Sequence, residues 1–453
     1  MVSLFATRAG PVSTPLAGRS YWQRHGGAPQ PMATAPRSSE LPVNVDYAVV
    51  GGGLAGLSSA LHLAAMAPAA TIALLEAQFL GFGASGRNAG LLAPLPAPIW
   101  LMTAGHDREH AWAVKHLNTR VHALAGWLQS NAPGAEIAPA VLRIEAQGRL
   151  TSAGLASVAR TLTVAGIEHT TGTGPSGQLF VDLATHSVQP YRLAAALGEI
   201  ARGRGVVIHE NMPVQAIEET AGGVRLSIAG GRTLIARSVV VCTNAYTSSL
   251  ALPVQPRAKV VYNFMVASGA IDPARIAPKG DAQRFVVELN TSYVFYRMHE
   301  NRVIYGGIER FSPCGDSDFA VPPDVLAKLE GLIERSFPGA GITPAEAWGG
   351  IYHQTTTDLP LLQRIGAHGS IVLNVGYGGT GVALTQICGR LAASLALGRE
   401  PVDEDDRRHM EYLRHRGSFA DVPADEIRRV FGETYPRYYN LGPDAAKLSF
   451  APA

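Results

Sequence analysis

The chain has 453 residues, 47% of them hydrophobic, which is too long for one ordinary core and predicts two domains plus tails. Its net charge is only +2 and no basic stripe interleaves with aromatics, so nucleic acid is not an expected partner. Cys242, Cys314 and Cys388 lie far apart, with no CxxC and no histidine cluster at metal spacing. That excludes a disulfide scaffold and structural zinc, and predicts a reducing, cytoplasmic setting.

Residues 1–40 read as a flexible leader rich in Ala, Pro and Gly. Arg8, Arg19, Arg24 and Arg37 precede any acid, which is also the composition of an organelle transit peptide. No apolar run reaches the roughly 18 residues that a membrane span needs.

Residues 44–92 carry the most informative stretch. An apolar run, Tyr47 to Val50, enters Gly51, Gly53 and Gly56, which fit GxGxxG. A helix is expected from Leu54 to about Met66, then a second strand, Thr71 to Leu75, ending on Glu76 and Ala77. The first glycine turns the chain, the second lets backbone reach a pyrophosphate, and the third lets helix pack on strand. Free N–H groups at Leu54 and Ala55 would meet the phosphates, and Glu76 would accept from a ribose hydroxyl. A bound adenine dinucleotide is therefore expected. The next segment, Gly81 to Gly90, is small and flexible, with Ala84, Ser85, Arg87, Asn88 and Ala89. Such a loop suits the pyrophosphate of a flavin dinucleotide and brings N–H groups to its ring; the alternative is an ordinary flexible loop.

Further along, three prolines at alternate spacing in Leu91 to Trp100 predict an extended segment. Helices are expected over His106 to about Gln129 and over Gln189 to Gly205, the latter with Pro190 in its first turn. Ser292 to Met298 and Arg302 to Ile308 flank a polar turn and read as a hairpin. Residues 402–453, dense in charge and tyrosine, would wrap the surface or meet a second subunit, making a homo-oligomer possible. Gly376 to Gly381 (GYGGTG) also fits GxGxxG, but no second strand with an acid follows its helix, so a separate NAD(P)H site is not expected.

GGGLAG, Glu76 and GASGRNAG together resemble the FAD-dependent D-amino-acid oxidase superfamily of glycine and sarcosine oxidases. The GASGRN form is closest to the gamma-glutamylputrescine oxidases. The resemblance spans roughly residues 20–400 and includes SYW (Ser20 to Trp22), NMPVQAIEE and SVVVCTNAYT. It also includes WGGIYHQTTTDLPLLQR and the closing GYGGTG loop. It implies an α/β, glutathione-reductase-like Rossmann FAD domain in discontinuous pieces (44–92, 186–250, 346–400). A β-rich substrate domain (93–185, 251–345) and a C-terminal tail (401–453) complete the expected division. It implies adenine packing on Val214 and flavin contacts at Thr243, Gly376, Gly378, Gly379, Thr380 and Gly381. The helix that follows would point its dipole at the flavin's pyrimidine carbonyl.

The implied chemistry is oxidation of the C–N bond of an amine or N-substituted amino acid to an imine, by oxidative deamination or N-dealkylation, with dioxygen as the expected electron acceptor. A same-fold dehydrogenase, or a flavin-containing assembly or sensor without turnover, is the alternative. Tyr352 falls where glycine-oxidase-like members carry a carboxylate-binding arginine, which turns the expectation from free α-amino acids toward amines. Arg297 is either its replacement from another wall or a surface residue. His353 suits accepting a proton from an ammonium substrate, or is a core histidine. Tyr293 and Phe295 share one strand face and Tyr296 the other; one of these faces walls the substrate cavity or belongs to the core. Tyr377 is expected over the flavin ring. The segment that holds the covalent cysteine in sarcosine oxidase has none here, Asn88 replaces the attaching histidine, and Cys314 lies outside both contexts, so non-covalent FAD is expected.

Overall fold

The computed structural model describes residues 18–29, 41–95, 107–146, 149–254, 256, 258–276, 281, 283–289, 293–311, 320–355, 359–401 and 403–416. Cys314, most of the expected leader, residues 96–100 and the tail beyond 416 lie outside the described residues.

The helices are α1 (Tyr21–His25), α2 (Leu54–Met66), α3 (Asp107–Asn131), α4 (Arg149–Ala165), α5 (Pro190–Gly203), α6 (Pro323–Ser336), α7 (Gly381–Ala396) and α8 (Glu404–Arg416). The first strands are β1 (Asn44–Val50), β2 (Ile72–Leu75), β3 (Leu91–Leu92), β4 (Ala138–Ala146), β5 (His169–Thr173) and β6 (Leu179–Ser187). Then come β7 (Val207–His209), β8 (Val214–Thr220), β9 (Gly223–Ile228), β10 (Arg232–Val241), β11 (Ala258–Ser268) and β12 (Arg284–Leu289). The last are β13 (Tyr293–His299), β14 (Arg302–Phe311), β15 (Pro344–Thr355), β16 (Leu361–Ile365) and β17 (Ile371–Val375).

One sheet runs β16-β17-β10-β1-β2-β7, parallel from β17 to β7, with β9 and β8 added at the start of β10. Its centre reads as unbroken apolar runs because helices cover one face and the β8–β9 layer the other. Gly389 of α7 lies against Ser58 of α2, where a Cβ would meet the serine side chain at 2.2 Å. The β1–α2–β2 unit thus forms as expected, with its strand ends aligned at Val50 and Leu75.

The second sheet runs β15-β11-β14-β13-β12-β4-β6-β3, with β5 on β6, and is antiparallel except at β12–β4. The predicted hairpin is β13–β14, turned by Glu300 and Asn301, both at positive φ (47° and 58°). Helix α6 covers one face through Tyr262, Phe264, Tyr296 and Tyr305. The opposite face buries Met265, Ile304 and Trp348 against Tyr21 and Trp22 of α1.

Two expectations are corrected here. Residues 346–355 pair antiparallel with β11 and so belong to the second sheet, not the first. Residues 18–29 are no loose leader: Tyr21, Trp22 and Gln23 are 0% exposed. Ser20 and Gln23 form a capping box that lets a five-residue helix stand in the interior with its N–H groups satisfied.

Candidate active site

β1 ends at Val50 and leads into Gly51, whose φ of +109° only glycine adopts comfortably and whose N–H donates to Leu75 O at 2.8 Å. A Cβ on Gly56 would sit 1.8 Å from Gly51 O, so the third glycine is dictated by helix-to-strand contact. Glu76 follows β2, and Ala77 beside it is exposed. The Glu76 carboxylate accepts from Gly52 N at 2.6 Å and Gln78 N at 2.9 Å; burial pushes its pKa up while these bonds pull it down. The acid therefore fixes the glycine turn in addition to any ribose it meets.

The Gly81–Gly90 loop folds over the start of α2. Ser85 Oγ accepts from Leu54 N at 2.9 Å and lies 2.8 Å from where a Gly53 Cβ would stand. Asn88 Nδ2 donates to Ala84 O and Ser85 O, while its Oδ1 accepts from Gly90 N. Ala84, Ser85, Asn88 and Ala89 remain half-buried.

Arg87 was expected to meet the cofactor, but the fold uses it differently. Its guanidinium, 2% exposed, donates to the carbonyls of Phe82 (2.7 Å), Gly349 (3.2 Å) and Gly18. Burial lowers its pKa to about 10, which leaves it charged at neutral pH. Helix α1 supports the same loop: Ser20 Oγ donates to Gly86 O at 2.6 Å, and Gln23 Nε2 to Gly81 O and Phe82 O at 2.8 and 2.9 Å. The SYW motif marks these residues in the sequence, and only the fold brings them to the loop.

The closing loop lies after β17. Gly376 and Gly378 take φ of +84° and +53°, and Asn244 Oδ1 accepts from both Gly376 N (3.2 Å) and His353 N (3.3 Å). A Cβ on Gly379 would meet nothing within 4 Å, and Thr380 Oγ1, at the N-cap of α7 ahead of Gly381, is buried without a partner. Val214, at the start of β8, and Thr243, just past the end of the interior strand β10, are half-buried. Tyr377 does not cover a ring: it is 4% exposed, packed in the helix layer, with its hydroxyl on Asn374 Oδ1. The orphaned Thr380 hydroxyl, the open space at Gly379 and the two helix N-termini with small residues around them fit an extended dinucleotide carrying a flavin.

β15 runs between these loops and has two unlike faces. Gly350, Tyr352 and Gln354 are half-buried on the face that sets Gly350 against Arg87 of the loop over α2, called the cleft side below; Ile351, His353 and Thr355 are buried on the other. His353 is 0% exposed, hydrogen-bonded through Nε2 to Ser248 Oγ at 3.0 Å, with Nδ1 unpartnered, and burial lowers its pKa to about 4. It stands on the opposite face from Tyr352 and is a poor proton acceptor near neutrality. Tyr296 is corrected in the same way: 2% exposed, it stacks on Tyr305 beneath α6 while Phe295 takes the cleft-side face. The Tyr293 side chain is outside the described residues.

Arg297 is neither a surface residue nor near Tyr352. It is 6% exposed, donates to Gly90 O (2.9 Å) and Val188 O (3.2 Å), and lies over the Trp22 ring. Across the ladder it aligns with Ile304, Ala267 and Glu346, six residues from Tyr352, or ~20 Å along the strands. Glu309 and Asn263, which the sequence reading passed over, do stand beside Tyr352: its hydroxyl donates to Glu309 Oε1, and Asn263 Nδ2 lies 3.5 Å from the same oxygen. The only signal in the sequence was Gly306–Gly307 inside a strand pattern, which marks a bulge.

A Rossmann-type βαβ unit, a glycine loop over its helix and a second sheet facing both define an FAD-binding oxidoreductase fold. The chain belongs to the family described as FAD dependent oxidoreductase (DAO), which matches residues 46–395. It is 26% identical over 397 residues to a probable oxidoreductase, OrdL, of Rhizobium meliloti, covering 81% of this chain and 87% of that one. It is likewise 26% identical over 382 residues to the gamma-glutamylputrescine oxidoreductase of Escherichia coli, covering 79% and 84%. The fold is similar to glycine oxidase from Geobacillus kaustophilus, with a TM-score of 0.67, 21% identity and coverage of 80% and 97%. No helix among the described residues is long and apolar enough to cross a membrane.

Proposed function

We propose that the protein oxidises the C–N bond of an amine or N-substituted amine to an imine, which water then hydrolyses, and that dioxygen reoxidises the cofactor. The observation that carries this reading is the cleft-side face of β15. Tyr352, its hydroxyl bonded to a carboxylate, occupies the place where the family resemblance puts a carboxylate-binding arginine. A tyrosine at that place brings no positive charge of its own to an α-carboxylate, which favours a substrate without one.

Bound FAD supplies the hydride acceptor. The chain supplies position. Gly51, Gly53, Gly56 and Glu76 would hold the adenine end, and Ser85 to Gly90 with Gly376 to Gly381 the flavin end. Tyr352 would orient the amine from the second sheet, with the buried Trp348, Tyr21 and Trp22 layer farther along the same face of that sheet. With no cysteine in Trp348 to Arg364, and with Asn88 satisfied by backbone, the cofactor is proposed to be non-covalent.

Anaerobic mixing with primary amines, secondary amines and free amino acids tests the reading, since the substrate class is the one that bleaches the flavin. Bleaching by glycine or alanine in preference to every amine would overturn it. Stopped-flow mixing of reduced enzyme with aerated buffer tests the acceptor. Sarcosine dehydrogenase of Homo sapiens and L-proline dehydrogenase from P. horikoshii are among the similar proteins, and slow reoxidation would favour a dehydrogenase.

A further inference from the structure

An amide stands inside the apolar run of β17. Asn374 is buried and shares a strand face with Val372, which packs in the layer of α2 and α7. Its Nδ2 donates to Ser59 Oγ of α2 at 3.1 Å, and that hydroxyl donates in turn to Ala55 O, in the first turn of the helix, at 2.7 Å. Its Oδ1 accepts from the Tyr377 hydroxyl, on the loop that leads into α7. A Cβ on Gly381, the first residue of α7, would lie 3.1 Å from Tyr377 Cβ. One side chain therefore ties the first turn of α2 to the loop that starts α7.

The network is neutral throughout. Cys242 Sγ lies 3.7 Å from Ser59 Oγ, and the Cys388 thiol is hydrogen-bonded with the Tyr377 hydroxyl. Burial pushes both thiols up to about 12 and the Tyr377 phenol well above its ordinary value, so all three keep their protons. No side-chain N or O atom of Ser59, Asn374 or Tyr377 lacks a partner. A buried polar network that is fully satisfied holds one geometry, and removing a member leaves its partner unpaired. With no charge to act at a distance, this network acts by position. What it positions is the N-terminus of α7, whose N-cap Thr380 makes no side-chain capping bond. The free N–H groups there stabilise negative charge, and a flavin gains negative charge on reduction.

We infer that Asn374 is a positioning residue: through Ser59 and Tyr377 it fixes the N-terminus of α7 relative to that of α2, and so sets the reduction potential of bound FAD. The inference goes beyond the amine-oxidising reading and holds for any substrate. It rests on the placement of the flavin end at Gly376 to Gly381 proposed above. Loosening the tie takes ready-placed N–H donors from the reduced cofactor, so the potential should fall.

Tyr377→Phe removes the hydroxyl that donates to Asn374 Oδ1, and Ser59→Ala the oxygen that accepts from Asn374 Nδ2. Equilibrium reduction of each holoenzyme against a dye of known potential should place both variants below the wild type. Tyr377→Phe should shift the two-electron equilibrium by ~10-fold, which is about 30 mV. The double variant should shift by less than the sum of the two, because both act through one amide. A merely structural role would lower the melting temperature and leave the potential in place. An unchanged or raised potential, or additive shifts, overturns the inference. Ser59→Ala decides alone if Tyr377→Phe does not fold. Gly379→Leu tests the placement beneath it, since its side chain would enter the open space of the closing loop and should keep FAD from the apoprotein. Wild-type affinity for FAD in Gly379→Leu would sink that placement. Exclusion of FAD there, with unchanged potentials in the other two variants, would sink the positioning role alone.

Discussion

Trp348 Nε1 donates to Arg87 O at 2.9 Å, and Arg87 Nη1 donates to Gly349 O at 3.2 Å, so the loop over α2 and the strand facing it hold each other by reciprocal bonds. This pairing joins the cofactor motif to the second sheet. Arg87→Lys keeps the charge but loses the fork that serves three carbonyls. We expect a loss of ~2–3 kcal/mol, the scale for leaving buried partners of a charged donor unsatisfied. The check is the midpoint of a denaturant titration, with FAD released earlier than the chain unfolds.

Gly53 and Ser85 give a rescue experiment. Gly53→Ala places a methyl 2.8 Å from Ser85 Oγ, but 3.7 Å from Ser85 Cβ. The single variant should melt lower, and the apoprotein of Gly53→Ala with Ser85→Ala should recover part of the loss. Gly56→Ala should have no comparable rescue, because its clash is with the backbone of Gly51.

Glu76→Ala removes the acceptor of Gly52 N and Gln78 N as well as the group expected to meet the ribose. FAD affinity, read by flavin fluorescence on reconstitution, should fall by ~1–3 kcal/mol. Glu76→Gln should fall less, since its carbonyl still accepts one N–H.

Acid should destabilise the fold through its buried histidines. His353 and His409 are 0% exposed, and burial lowers their pKa values from 6.5 to about 4 and about 3. The unfolded chain takes up protons from about pH 6.5 downward and the native chain does not, so their stabilisation is complete above pH 6.5 and is lost as pH falls toward 4. Both ring nitrogens of His409 lack partners, so His409→Leu should flatten the decline of melting temperature between pH 6.5 and 4. An unchanged slope would show that this histidine does not carry the effect.

Tyr352→Arg should shift the preference among substrates toward small free amino acids, since a guanidinium adds charge-assisted bonds to a carboxylate. The ratio of kcat/KM for glycine to that for an alkylamine is the measurement, and a rise of ~10-fold or more is expected. Pairing of the new arginine with Glu309 would blunt the shift, and Tyr352→Arg with Glu309→Gln separates that effect.

Local patterns in the sequence determined the β1–α2–β2 unit, its glycines and Glu76, α5 with Pro190, and the β13–β14 hairpin. Each depends on periodicity, turn chemistry or caps that act within a few residues. Tyr352 was legible through the order of a family segment, but its partner was not. Glu309 joins it only because an extra residue at Ile308 inverts the alternation of β14. His353, Tyr296 and Arg297 had suitable chemistry and the wrong surroundings. His353 and Tyr296 point away from the cleft, and Arg297 lies about six residues along the sheet, a placement set by strand register across the ladder. Arg87 and α1 show the same division. Sequence marked both as parts of the site, while long-range packing decided that they build the loop from behind, because a buried guanidinium and a buried helix end must find carbonyls and N–H partners wherever the fold brings them.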